Sequence, residues 1–397
     1  MDHSPSDVLT IERHDSMGPL ESEWRQLEQD RLSSLHQSYD WCRAWVETHE
    51  SSLAILIVRH RGRAVLLLPL EIRRRAFFKV AQFIGARFTN INTGLIDPDF
   101  RSQLTENTRL VLRHLIVGAL KGHADLVHLG NVPFNWRGEP HPLSGMKGAV
   151  EHHNHSFQLP LLSDFAATLS QVNAKRRRKK FRNQHARLMA TGGYEHISAS
   201  HAEEGHDLLN LFFAQKAVRF EKLGLPDVFR DKATQAFFHR LIDLGPAGPD
   251  RPLQLHGLRL KGEHEGRIAA IAGLSIKGDH VICQFGSIDE TLAADASPGE
   301  LLFWLMIEKS CAEGRALFDF GLGDQLYKRS WCPVETVQHD LFLPMNGIGR
   351  CAALAFSASL QARAAIKRNP VLYRVLQRIR AWRTQDGQRN GSLPDGD

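Results

Sequence analysis

The sequence predicts an α/β (α+β) fold, with mixed, mostly antiparallel sheets flanked by helices and one such unit used twice. Three observations carry this. First, the β-rich runs come as hairpins. LAILIVRH (53–60) and AVLLLPLEI (64–72) are separated only by Arg61-Gly62-Arg63, and the runs at 253–262, 267–278 and 280–287 are bordered by glycines. Short turns between such runs force antiparallel neighbours, whereas a doubly wound nucleotide fold alternates strand and crossover helix throughout. Second, each half closes in the same order. Helix 109–122 ends at Gly122 and strand 124–130 at Gly130; helix 299–314 ends at Gly314 and strand 316–321 at Gly321. Third, 397 residues exceed one ordinary core and suggest two domains.

The elements follow in order. LHQSYDWCRAW (35–45) reads as a helix with an aromatic face, and VAQFIG (80–85) as a third strand after the first hairpin. Glycine at 122 relieves the left-handed position that ends a helix. The polar His/Pro/Gly-rich stretch 131–155 lacks a helical stripe and marks the boundary. Helices at 210–224 and 231–245 open the second half. The expected division is 1–155, 156–345, and a basic helical tail with a disordered end at 346–397. Within that tail, Val371, Leu372, Val375, Leu376, Ile379 and Trp382 form an apolar stripe among arginines, suited to docking on the core or on an anionic membrane surface.

Composition narrows the functional classes. A chain 42% hydrophobic and 24% charged is globular. No apolar run reaches the roughly 18 residues that span a bilayer, and the acidic start MDHSPSDVLTIERHD is no secretory signal, so a cytoplasmic location is expected. Five scattered cysteines with no CxxC argue against a disulfide scaffold or a cysteine zinc site. His152, His153 and His155 lie together in a polar linker without an HExxH, so no metal is expected. GxxxxGK[ST] is missing, as is a GxGxxG after a strand, which disfavours P-loop and dinucleotide enzymes. A net charge of +6 is compatible with an anionic cofactor, an anionic surface or nucleic acid, and selects none of them.

Chemistry concentrates in FDFGLGDQLYKRSW (318–331), a strand end, glycine turn and helix start, the place where α/β proteins set their sites. Asp319 alternates with Phe318 and Phe320, so it faces opposite them. Asp324 is a candidate cap for a helix beginning at Gln325. Upstream, Ser297-Pro298-Gly299-Glu300 is a helix-start signal. Ser297 fits N-cap, Pro298 fits N1, Glu300 stands at the reciprocal capping position, and Gly299 lets a ligand approach the backbone. The amides and dipole there favour a pyrophosphate. KRRRKKFR (175–182) carries seven basic residues in eight; Lys175, Arg178, Lys179 and Arg182 share a helical face. Only Phe181 interrupts the run, too little aromatic interleaving for a single-strand platform, so nucleic acid is not the expected partner. Trp41 and Trp45 share another helix face, as core anchors or a ligand wall.

These segments, SYDWCRAW (38–45), KRRRKKFRNQHARLMATGG (175–193), SPGELL (297–302) and FDFGLGDQLYKRSW (318–331), resemble the CelD/BcsL-like acetyltransferases of the GNAT superfamily. The likeness covers residues 20–335. It implies two GNAT-like domains in tandem, similar to the FemABX peptidyltransferases. It implies acetyl transfer from acetyl-CoA to an amine or hydroxyl of a small-molecule or lipid-linked saccharide in cellulose, exopolysaccharide or envelope production. Ser297, Pro298, Gly299 and Glu300 then hold the cofactor. Asp319 or Asp324 accepts the amine proton, Tyr327 protonates the departing thiolate, and Lys328, Arg178 and Trp41 contact substrate. Aminoacyl transfer from tRNA and a non-catalytic scaffold role are the alternatives.

Overall fold

Short turns pair the strands of each half into meanders, and a single long helix in each half then carries the chain across to a parallel partner. The computed structural model describes residues 9–245 and 250–368, so the apolar stripe at 371–382 lies outside the described residues. In the second half, Tyr194–Ser198, Arg251–Leu260, Ile268–Lys277 and His280–Ile288 run antiparallel in that order. Helix Pro298–Ala312 crosses over, and Leu317–Leu322 returns parallel to His280–Ile288. Ser156–Pro160 and Val334–Thr336 complete a seven-stranded sheet.

The first half repeats the plan. Strands Leu70–Arg75 and Phe78–Phe83 form a hairpin, helix Glu106–Leu120 crosses over, and Leu126–Pro133 returns parallel to Phe78–Phe83. The sheet is six-stranded, beside a four-stranded one built from Leu9–His14, Ile55–His60, Arg63–Leu68 and Leu95–Ile96. The anticipated fold class, mixed α/β with the unit used twice, is the observed one.

The sheets do not follow the linear division at 155 and 345. Strand Gln338–Pro344, near the end of the expected second domain, lies in the first sheet between Ala149–Glu151 and Leu126–Pro133. Helix Gly347–Arg368 covers that sheet, with Ala352, Phe356 and Leu360 packed on Val80, Leu126 and Phe342. Pairing on both sides within the sheet takes up backbone groups of 338–344 that a separate tail would leave to water.

A shared core joins the halves. Ser38 caps helix Tyr39–Thr48, its hydroxyl accepting the Trp41 amide at 3.4 Å. That helix lays Trp41 and Trp45 on Phe237 of helix Lys232–Asp243, at ring-centroid separations of 5.1 and 5.2 Å. Trp41 is fully buried against His36 and Phe237, so it is a core anchor and not a ligand wall.

Candidate active site

The site is where two parallel strands part. His280–Ile288 and Leu317–Leu322 are in register for three pairs only, His280 with Leu317, Val281 with Phe318 and Ile282 with Asp319. Beyond them the strands diverge, and the wedge opens into a cavity of about 560 Å³. One wall is the strand segment Cys283–Ile288; the other is Phe320, Phe303 and the short helix Leu326–Trp331. Bulk sets the wedge locally. Phe285 folds over Gly273, where an added Cβ would sit 2.4 Å from its ring, and a register shift follows at Gly273/Leu274.

Tyr327 stands on the cavity wall, stacked on Phe303 at 5.5 Å with planes 11° apart and edge-on to Phe320 at 6.1 Å. Burial raises its phenol pKa above the ordinary value, so the group stays protonated and acts as a donor. Lys328 is buried beside it. Its ammonium donates to the carbonyls of Gly321 at 3.2 Å and Leu322 at 2.5 Å, and its pKa is lowered by burial. Its proton-donating end thus sits at the fork of the two strands, in a site of low dielectric.

The N-terminus of helix Pro298–Ala312 borders this cavity through Gly299 and Glu300. A neighbouring cavity of about 460 Å³ is lined by Ser297, Pro298, Gly299 and Glu300 together with Lys222, Ile288 and the acidic Asp289 and Glu290. Pro298 occupies the first helical turn as anticipated. Ser297 does not cap with its side chain: it takes a left-handed backbone (φ 49°), outside the extended conformation in which a serine hydroxyl reaches the next amides. The Glu300 and Leu301 amides return to the Ser297 carbonyl at 3.0 and 3.3 Å, which leaves Gly299 to present its amide. Gly299 is needed here, since a Cβ would lie 2.8 Å from Ile288.

Glu300 does not fold back onto the cap either. Arg177 donates to it at 2.5 Å and Lys180 forms a second ion pair with it. Both cations come from helix Ala174–Ala190, which Asn173 caps by accepting the Arg176 amide at 3.1 Å. Arg177 is buried, lies 3.8 Å over the Trp331 ring and donates to the Ser330 hydroxyl at 2.6 Å; burial lowers its pKa. Arg177, Phe181, Gln184 and Leu188 make the inward stripe, so Arg178 with Lys175, Lys179 and Arg182 faces solvent. Arg178 is not brought to the cavity; its neighbour Arg177 reaches Glu300, a residue of the cavity wall, from behind. Helix Ala202–Leu223 adds Lys216 and Arg219 to the cavity wall. Burial lowers the pKa of Lys216, and Arg219 pairs with Glu290 at 3.2 Å. Sequence reasoning missed these two, because nothing in an amphipathic helix marks which cations border a cavity on a neighbouring sheet.

Neither aspartate reaches the cavity. Asp319 faces away from Phe318 and Phe320, as alternation requires, but that side is the buried junction with the first half. There its carboxylate accepts from the Gly321 amide at 2.7 Å and Gln158 at 3.3 Å, with His280 3.4 Å away. Asn90 of the first half packs directly on Gly321. Asp324 pairs with Arg329 beside His152, His153 and His155 in a separate recess. The helix starts at Leu326, with Gln325 at N-cap, so Asp324 is not its cap. Glu300 is the one carboxylate among the described residues lining the main cavity. No group of histidine, cysteine and carboxylate among the described residues is arranged to hold a metal ion.

A parallel pair that splays beside a crossover helix is thus built twice, once in each half. Residues 175–329, which contain every wall of the cavity, match the family model of an acetyltransferase (GNAT) domain. Among solved structures, FemX aligns at 12% identity over 86% of this chain and 100% of its own, with a TM-score of 0.59. L-PGS from Bacillus licheniformis aligns at 11% identity over 87% of this chain and 96% of its own, with a TM-score of 0.52. Identities this low establish a common fold and nothing finer. No curated protein sequence matches the chain.

Proposed function

We propose that the chain is an acyltransferase that takes an acetyl group from acetyl-CoA in the wedge between His280–Ile288 and Leu317–Leu322 and passes it to an amine or hydroxyl acceptor. The observation that carries this reading is the wedge itself. A three-pair parallel contact opens into a cavity bordered by a helix N-terminus and by Lys216, Arg219, Tyr327 and Lys328. The unpaired edge beyond Ile282 offers backbone groups to an extended thioester arm. Gly299 supplies one amide, and Lys216 and Arg219 supply positive charge for the anionic end.

In the transfer step the acceptor nitrogen or oxygen bonds to the acyl carbon and the carbon–sulfur bond breaks. The Lys328 ammonium donates to the carbonyl oxygen as negative charge gathers on it. Tyr327, held protonated by burial, gives its proton to the departing sulfur. Lining residues supply no free carboxylate, so the acceptor arrives neutral, its N–H or O–H proton leaves to water as the new bond forms, and water returns a proton to the Tyr327 phenolate. Binding of acetyl-CoA by calorimetry, and CoA release in a screen of amino-sugar, lipid-linked sugar and amino-acid acceptors, tests the proposal. A chain that binds neither CoA nor acetyl-CoA ends it.

The finer reading places a saccharide or envelope-precursor acceptor in the cytoplasm, in the manner of the CelD/BcsL-like enzymes. It rests on the sequence likeness at 38–45, 175–193, 297–302 and 318–331. A second reading, aminoacyl transfer from tRNA, is favoured by the solvent-facing cations Lys175, Arg178, Lys179 and Arg182 and by the charge of Glu300 at the helix entrance. Binding of charged tRNA in place of acetyl-CoA selects it. Tight acyl-CoA binding without turnover on any acceptor selects the scaffold role.

A further inference from the structure

The hairpin between Leu70–Arg75 and Phe78–Phe83 carries a tip that the fold does not use. Its sequence is RRRAFFK, 73–79. Ala76 takes a left-handed backbone (φ 47°), a place hairpins usually give to glycine or asparagine, and the tight turn leaves Phe77 79% exposed. Phe77 is the most exposed phenylalanine among the described residues; its ring lies 5.6 Å from that of Phe78, which in turn packs on Phe356 of helix Gly347–Arg368.

The charges around it are unbalanced. Register places Arg74 directly opposite Lys79, a like-charge pair on one face, which costs stability unless something neutralises it. Among the described residues no carboxylate forms an ion pair with Arg74, Arg75 or Lys79. Arg75 reaches only the Gln82 side chain at 3.5 Å. The nearby carboxylates are engaged elsewhere: Glu71 with Arg73 at 3.1 Å, and Asp125 with the Lys79 amide at 2.8 Å and Asn346 at 2.7 Å. A tip with one protruding ring and three cations outside any ion pair lacks the series of aromatic rings on which successive nucleic-acid bases stack. It fits a surface that accepts an aromatic ring at the interface and offers dispersed negative charge.

We propose that this hairpin tip docks the protein on an anionic phospholipid bilayer, Phe77 entering the interface and Arg74, Arg75 and Lys79 pairing with headgroups. The proposal stands on the hairpin alone and does not depend on the acyl-transfer reading. The test is co-sedimentation of the full chain with phosphatidylcholine vesicles, with and without phosphatidylglycerol. Binding is expected only to the anionic vesicles and is expected to weaken with salt. Arg74→Gln with Arg75→Gln should weaken it about 25-fold, and Phe77→Ser about tenfold. Phe77→Trp should shift its emission to the blue when anionic vesicles are added. These substitutions are at exposed positions, so an unchanged melting temperature verifies the fold. No vesicle binding, equal binding to neutral and anionic vesicles, or full binding by the Phe77→Ser protein overturns the proposal. So does preferential binding of RNA that the arginine substitutions abolish.

Discussion

The two halves share one topology and differ at one point. In both, a parallel pair is in register for three residues before it splays: Val80, Ala81 and Gln82 with Leu126, Val127 and His128 in the first half, and His280, Val281 and Ile282 with Leu317, Phe318 and Asp319 in the second. In the first half the gap is filled by the chain itself. Asn92 donates its side chain to the Gly130 carbonyl at 2.8 Å and its amide to the Asn131 carbonyl at 3.0 Å, and Asn131 reaches Thr89 at 3.0 Å. The crossover helix there is sealed by Thr105, whose hydroxyl accepts the Thr108 amide at 3.2 Å. In the second half the corresponding Gly321 carbonyl meets the Lys328 ammonium instead of a chain segment. The helix entrance at Ser297 has no side-chain cap, and the gap is a cavity. One unit fills its wedge with its own chain; the other leaves it open as a cavity.

The most severe way to break this contrast is Lys328→Met. It should lower turnover about 1,000-fold, read as CoA release, while melting temperature holds or rises because a buried ammonium is gone. Activity within twofold of the parent would remove Lys328 from the reaction. Tyr327→Phe should lower turnover about 100-fold with donor affinity nearly unchanged, and equal loss in KM and kcat would point to a packing role instead.

Acid should unfold both halves together. His36 and His141 of the first half and His256 of the second have pKa values depressed by burial, to about 4, about 3 and well below 6.5. Their unfolded forms take up protons first as pH falls. The histidine contribution to stability is therefore full above pH 6.5 and lost as pH falls from 6.5 to about 4 for His36 and about 3 for His141, by up to about 1.4 kcal/mol per histidine per pH unit. Flat stability across that window in urea titrations would contradict the burial. Asn92→Ala opens the filled wedge and should cost about 1–3 kcal/mol with no change in acetyl-CoA affinity; a change in affinity would place the donor in the wrong half. The smallest effect is expected for Glu300→Gln. Releasing Arg177 and Lys180 should tighten acetyl-CoA binding about fivefold, and weaker binding would assign Glu300 a direct contact with the donor.

Much of this architecture is legible in the sequence. Turn length fixed which strands are hairpins, and the order helix, glycine, strand, glycine marked both crossovers. Tyr327, Lys328 and the 297–300 segment were singled out and line the same cavity system. Alternation placed Asp319 opposite Phe318 and Phe320 correctly, but it cannot say which face of the sheet carries the cavity. Seven cations in eight residues hide the helical phase, so Arg178 stood out where Arg177 faces inward; Phe181, Gln184 and Leu188 fix that phase only if weighted above charge. The Gln338–Pro344 strand gives no local sign of its partner, because the choice of edge is tertiary.

That strand has a consequence for biosynthesis. The Leu126–Pro133 edge is made early, yet its neighbour emerges some two hundred residues later. At about 5–20 residues per second, the amino-terminal sheet stays unzipped on one side for many seconds of translation, a bare hydrogen-bonding template until its C-terminal closure is delivered. Nascent chains stalled short of residue 338 should therefore draw on chaperones far more than those released just beyond 344.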